Sequence, residues 1–152
     1  MKQRDQVAMT AAEAAGLLAE SRKLQLATIN PDGTPHLVTM FYVLIDDRIA
    51  FWTYRVSQKA RNLARDPRVT CLVETGEDYF ELRGVQVNGI ARSVEDFEGV
   101  LGIGRRIAAG LQGVPADALD DYVAKQARKR TGYIIEPTRV ISWDHRKLLT
   151  AG

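Results

Sequence analysis

The sequence predicts a mainly β fold with peripheral helices (α+β), a single small antiparallel barrel decorated by helices. Three observations predict it. Six or so strand-like stretches are joined mostly by short turns, and the first of them have no helical crossover between them, which disfavours a parallel sheet. Within the longest stretch the apolar phase slips at Gly84 and again at Gly89, as in a strand that bulges or kinks to curl around a barrel. The chain has 152 residues, 45% of them hydrophobic and 26% charged, enough to bury one core without a metal or a disulfide.

The first element is a helix over about residues 10–21. Thr10 and Glu13 are spaced as a capping box, and Ala14, Leu17 and Leu18 form one apolar stripe. From Leu24 the period shortens to that of a strand, residues 24–29, followed by the turn Pro31-Asp32-Gly33-Thr34-Pro35 and a second strand, residues 36–45. This second strand is apolar on both faces. Both need cover, by core on one side and on the other by a helix, a cofactor or a second subunit. Asp46-Asp47 turns the chain into a third strand, residues 48–54. A short helix follows from Ser57 and stops at Asp66-Pro67, because the residue before a proline is driven from the helical region. Residues 69–74 form a fourth strand, with Val69, Cys71 and Val73 on one face, and residues 79–94 form the curling strand.

Two helices come next, one capped by Ser93 and carrying Phe97, Val100 and Leu101, the other running from Pro115 to around Arg130. Residues 133–143 make the last strand, interrupted at Pro137. The single domain, 1–152, therefore reads as barrel segments 24–94 and 133–143 around a helical insertion at about 95–130. No repeat, low-complexity run or linker divides it.

Charge and cysteine content exclude several functions. Twenty-one Lys and Arg against nineteen Asp and Glu give a net charge of +2, too balanced for a dedicated nucleic-acid or membrane-surface protein. The cationic run 125–130 falls at a helix C-terminus, where it complements the dipole and needs no nucleic acid. Cys71 is the only cysteine, so neither an intrachain disulfide nor a thiolate zinc site can form, and no metal is expected. A reducing, cytoplasmic location fits best. The longest apolar run, residues 40–45, is too short to span a bilayer, and the first residues lack the apolar core of a secretion signal. Gly102-Ile103-Gly104 lacks the third glycine and the preceding strand of a dinucleotide loop.

The stretch richest in chemistry is Thr53-Tyr54-Arg55-Val56-Ser57-Gln58-Lys59-Ala60-Arg61. It places Ser57 at a helix N-cap with Lys59 and Arg61 in the first turn, where free N–H groups and the macrodipole already make the potential positive. Cations there disfavour the helix unless a phosphate or carboxylate faces them. An anion site and an ordinary solvated helix face both fit this pattern.

The order Leu26-Ala27-Thr28-Ile29, Pro31-Asp32-Gly33-Thr34-Pro35-His36, Ser57-x-Lys59-Ala60-Arg61-Asn62-Leu63 and Asp66-Pro67-Arg68-Val69, followed by Leu82-x-Gly84 and Gly89-x-Ala91, resembles the pyridoxamine-phosphate-oxidase-like split-barrel flavoproteins. A weaker echo follows at Arg139-Val140-Ile141. Within that superfamily the chain is most similar to the flavin- and deazaflavin (F420)-dependent oxidoreductases. The arginine-rich C-terminal substrate segment of true pyridoxamine phosphate oxidases is absent from the sequence.

The resemblance implies a homodimer of six-stranded antiparallel split barrels with the cofactor ring in a groove between subunits, acting on a small-molecule substrate. By position, Thr39 and Met40 lie beside the ring, with Thr53 and Tyr54 at the end of the next strand. Ser57, Gln58 and Lys59 hold the phosphate, and Arg61 sits near the tail. Met40 also suits core packing, Tyr54 a barrel rim, and Trp143 either a stacking wall over the ring or the core. His36 and His145 are candidate proton donors, or simply solvated histidines. The expected activity is hydride transfer between F420 and an activated C=C or C=N acceptor, F420 being preferred to FMN because Lys59 and Arg61 together suit a longer polyanionic tail. An FMN enzyme of the same fold and a non-catalytic flavin or haem carrier are the alternatives.

Overall fold

The structure, a computed structural model, describes residues 1–111 and 113–150. One unexpected turn of helix, α1 (Gln3–Val7), precedes α2 (Ala11–Glu20). The capping box of α2 is formed: Thr10 Oγ1 accepts from the Glu13 N–H at 3.1 Å, and Glu13 Oε1 from the Thr10 N–H at 2.9 Å. The chain continues through β1 (Lys23–Ile29), β2 (Pro35–Phe41), β3 (Val43–Ile45), β4 (Arg48–Tyr54), α3 (Gln58–Arg65) and β5 (Arg68–Thr75). A 3-10 turn at Tyr79–Glu81 leads to β6 (Arg83–Val94), α4 (Phe97–Ala109), α5 (Ala116–Ala127), β7 (Arg130–Asp144) and a last turn, α6 (Lys147–Thr150).

All pairings are antiparallel, in the order β2-β1-β5-β6-β7-β4-β3. The sheet has seven strands where six were expected, because strand 36–45 breaks at Tyr42. The Tyr42 N–H donates to the carbonyl of Arg22, the residue before β1, at 3.0 Å and so carries the β1–β2 pairing one step further, while its phenol donates to the Leu18 carbonyl of α2 (2.5 Å) and anchors the point where the chain leaves β1 for β4.

The two halves of the broken strand lie at opposite ends of the strand order, β2 on β1 and β3 on β4. One continuous segment therefore joins the two ends of the sheet. Closure is partial. β3 reaches no further along β4 than Ala50, so past Tyr42 the outer edge of β2 and residues 51–54 of β4 part, and the wall is split.

Two cores flank β4, which is buried on both faces. Ile49 and Phe51 join Leu24, Leu26, Cys71, Val73 and Val85 inside the barrel, which Ala14 and Leu17 of α2 and Leu63 of α3 help to fill. Ala50 and Trp52 point outward beneath α4 and α5, against Val100, Ile103 and Val123. The apolar strand 36–45 is thus covered unevenly. Val38, Met40 and Leu44 pack on the barrel core and Val43 and Ile45 on the helix-side core, while Leu37 (66% exposed) and Phe41 (48%) remain open.

Several boundaries differ from the sequence expectation. Gly89 lies at a bulge: Asn88 faces Arg139 but Gly89 faces Pro137, leaving Thr138 over. Proline has no N–H for the ladder, so the irregularity falls there and β7 runs on through it. Gly84 is in regular register with Trp143 instead, and a Cβ on it would stand 2.2 Å from the indole. Asp96, not Ser93, caps α4, its carboxylate accepting from the Gly99 N–H at 2.9 Å. Residues 79–81 are helical, and α5 ends before Arg130, which opens β7 opposite Tyr54. No helix among the described residues is long and apolar enough to cross a membrane.

Candidate functional site

The split is bounded by β2 on one side and by the end of β4 and the start of α3 on the other. β4 leads directly into a tight turn, closed by the Ser57 N–H on the Tyr54 carbonyl at 3.0 Å. Ser57 Oγ then caps α3 by accepting from the Ala60 N–H at 3.2 Å, and lies 3.3 Å from the hydroxyl of Thr53, a residue only 2% exposed. The direction of α3 is fixed from its buried side by Asn62, whose side-chain amide donates to Thr28 Oγ1 and Asn30 Oδ1, each at 3.0 Å. Gln58 Nε2 donates to Asn62 Oδ1 at 2.8 Å, so its side chain runs forward along the helix. Every polar hydrogen of that buried amide is used, as burial demands.

The electrostatics come from two cations. Lys59 is half-buried, and its pKa is lowered first by that burial and then by the positive charge of Arg130. Arg130 stacks its guanidinium 4.1 Å from the ring centre of Tyr54 and 4.7 Å from that of Trp52, a cation–π arrangement that fixes a planar cation without neutralising it. Neither cation, nor Arg61, forms an ion pair among the described residues. Two close, uncompensated positive charges beside the free N–H groups of a helix start favour a bound anion.

A cavity of about 350 Å³ opens between β2 and the α4–α5 pair, lined by Thr39, Met40, Phe41, Trp52 and Arg130 together with helix residues such as Gly104 and Ile107. A Cβ on Gly104 would meet the Trp52 ring at 2.4 Å, so the indole lies directly against α4. The site is thus a mostly apolar slot with cations near one end.

The structure brings most of the sequence-predicted residues together. Thr39 and Met40 line the slot, Thr53 touches Ser57, Tyr54 supports Arg130, and Lys59 lies within electrostatic reach of Arg130. Arg61 is exposed further along α3. Trp143 stands apart within one chain, over Gly84 at the far end of the fifteen-residue strand that Arg130 begins. Thr39 Oγ1 donates to Gln25 Oε1 at 2.9 Å. His145 Nδ1 lies 2.7 Å from the Tyr79 carbonyl with its ring 4.5 Å from that of Tyr79, and His36 pairs with Thr28 in the strand register. Cys71 is buried and its thiol pushed up to about 12, which leaves it inert. Among the described residues no group of three metal-ligating side chains occurs.

Sequence reasoning missed Trp52, Asn62 and Arg130 as parts of the site. A signal for the first existed: Trp52 and Tyr54, two apart on a strand, share one face and make a platform for a flat cation or ring.

Residues 10–144 match the family described as pyridoxamine 5'-phosphate oxidase. Among solved structures, a conserved hypothetical protein from Mycobacterium tuberculosis is 44% identical, with a TM-score of 0.88 and coverage of 97% of this chain and 92% of that one. An F420 reductase is 26% identical, with a TM-score of 0.61 and coverage of 82% and 93%. A haem storage protein from Vibrio cholerae shares the fold at 18% identity, with a TM-score of 0.65 and coverage of 87% and 94%. No curated protein matches the sequence.

Proposed function

The chain belongs to the pyridoxamine 5'-phosphate oxidase family, and on that premise we propose that it is an F420-dependent oxidoreductase that works as a homodimer in the cytoplasm. The observation that carries the reading is the pair of uncompensated cations, Lys59 and Arg130, beside an apolar slot large enough for a planar ring. The donor set fits the group. A phosphate suits Lys59, Arg130 and the N–H groups at the start of α3, while Thr39, Met40 and Trp52 offer flat, mostly apolar surface to the ring. Three cations, counting Arg61, exceed what one phosphate needs, which favours the longer polyanionic tail of F420 over FMN; the similarity to an F420 reductase adds support.

When bound, a reduced deazaflavin supplies a hydride to an activated C=C or C=N. The chain's own contribution is to bind, orient and exclude water. Lys59 and Arg130 neutralise the tail, Trp52 and Met40 keep one wall dry, and Asn62 holds α3 at a fixed angle to β1. A second copy of the chain is proposed to cover Leu37 and Phe41 and to complete the slot.

The test is titration of the cofactor-free protein with F420 and with FMN, read by quenching of tryptophan fluorescence. Micromolar F420 binding is expected, weakened by about 1–3 kcal/mol in Lys59→Ala, the scale of a lost charge-assisted hydrogen bond. Binding of FMN with no response to F420 would overturn the choice of cofactor. If bound, reduced F420 is oxidised no faster by enones, quinones and nitro-compounds, the protein is a carrier and not an enzyme.

A further inference from the structure

Phe41 separates the slot from a second cavity, of about 360 Å³, which lies between the C-terminal ends of α2 and α4. Phe41, Ile107 and Leu111 line both. The charged groups of the second cavity are Arg22 and Arg106, and no Asp or Glu lines it. Neither guanidinium has an ion-pair partner among the described residues. The Arg22 side chain crosses to the end of α4, its Nε 3.8 Å from where a Cβ on Gly110 would stand. Leu18, Val43, Leu44 and the shared Ile107 supply apolar wall.

Two guanidiniums around an apolar hollow with no acid of their own are complementary to a molecule with an anionic end and an apolar body. A carboxylate is the match, since its two oxygens meet the planar fork of an arginine. We propose that this cavity holds the carboxylate of the acceptor, an unsaturated acid with an apolar chain whose reducible part passes Phe41 into the slot. The proposal rests on the function inferred above and names its substrate class. A carboxylate could also arrive as the acidic tail of the deazaflavin, and the experiment separates the two sources.

The full-length protein without cofactor is titrated by calorimetry with trans-2-octenoate and with trans-2-octenamide, which differ in the charged end alone. The titration is repeated on Arg22→Gln and Arg106→Gln and, for the wild type, with F420 present. Octenoate is expected to bind about tenfold more tightly than the amide, and that preference to fall below about threefold in each variant while the F420 affinity stays within about twofold. Thermal unfolding of each variant guards against a structural effect, which would weaken acid and amide alike and leave their ratio unchanged. Equal binding of acid and amide, or a preference that survives both substitutions, overturns the proposal. Competition between F420 and octenoate assigns the cavity to the cofactor's tail and overturns it as well. A retained acid preference in a protein that fails to bind F420 supports the pocket and removes the F420 reading alone.

Discussion

Lys59 holds its charge in an unfavourable place, because burial and the neighbouring Arg130 both lower its pKa from 10.5. An anion binds the protonated form, so affinity falls as pH rises through the pKa of the free protein. Binding of a phosphate-bearing cofactor is expected to weaken on the alkaline side before an ordinary lysine would titrate, by up to about tenfold per pH unit. Lys59→Arg, which stays charged, is expected to keep binding flat over the same range. An identical alkaline loss in both proteins would show that another group titrates. Lys59 and Ser57 were legible because capping and dipole chemistry is local. Arg130 was not: its place opposite Tyr54 depends on the register of two strands far apart in the chain, and the sequence alone reads it as the end of a helix.

The phase slips in the long strand marked Gly84 and Gly89, but a missing side chain serves two different needs. At Gly89 it serves the bulge opposite Pro137; at Gly84 it clears space for an indole. Gly84→Ala is therefore expected to displace Trp143, at about 1–3 kcal/mol of stability, the usual range for overpacking. The checks are denaturant unfolding and a red-shifted tryptophan emission. A wild-type spectrum and midpoint would mean that the ring relaxes without cost. The break at Tyr42 had no sequence signal at all. The apolar pattern runs straight through it, and what anchors the break, the bond from the Tyr42 phenol to the Leu18 carbonyl, comes from another element, α2.

At the level of the whole molecule, the fold class was readable because alternation, turns and capping agree with one another. The split was legible only through the family resemblance, since it follows from where pairing stops and residue patterning does not show that. The open apolar side chains beside it lead to a prediction about assembly. Native mass spectrometry is expected to find a dimer, and Leu37→Asp, which puts a charge on a residue 66% exposed in the single chain, to shift it towards monomer. A wild-type protein that binds cofactor as a monomer would refute the shared site. The split also has a consequence for handling. The outer flank of β2 carries backbone N–H and C=O groups that no neighbouring strand among the described residues takes up, the feature by which sheets recruit foreign chains and clump. Whatever fills the opening shields that flank, so shelf life and colloidal behaviour are expected to track occupancy. Purification that strips the ligand would then yield the more precipitation-prone sample.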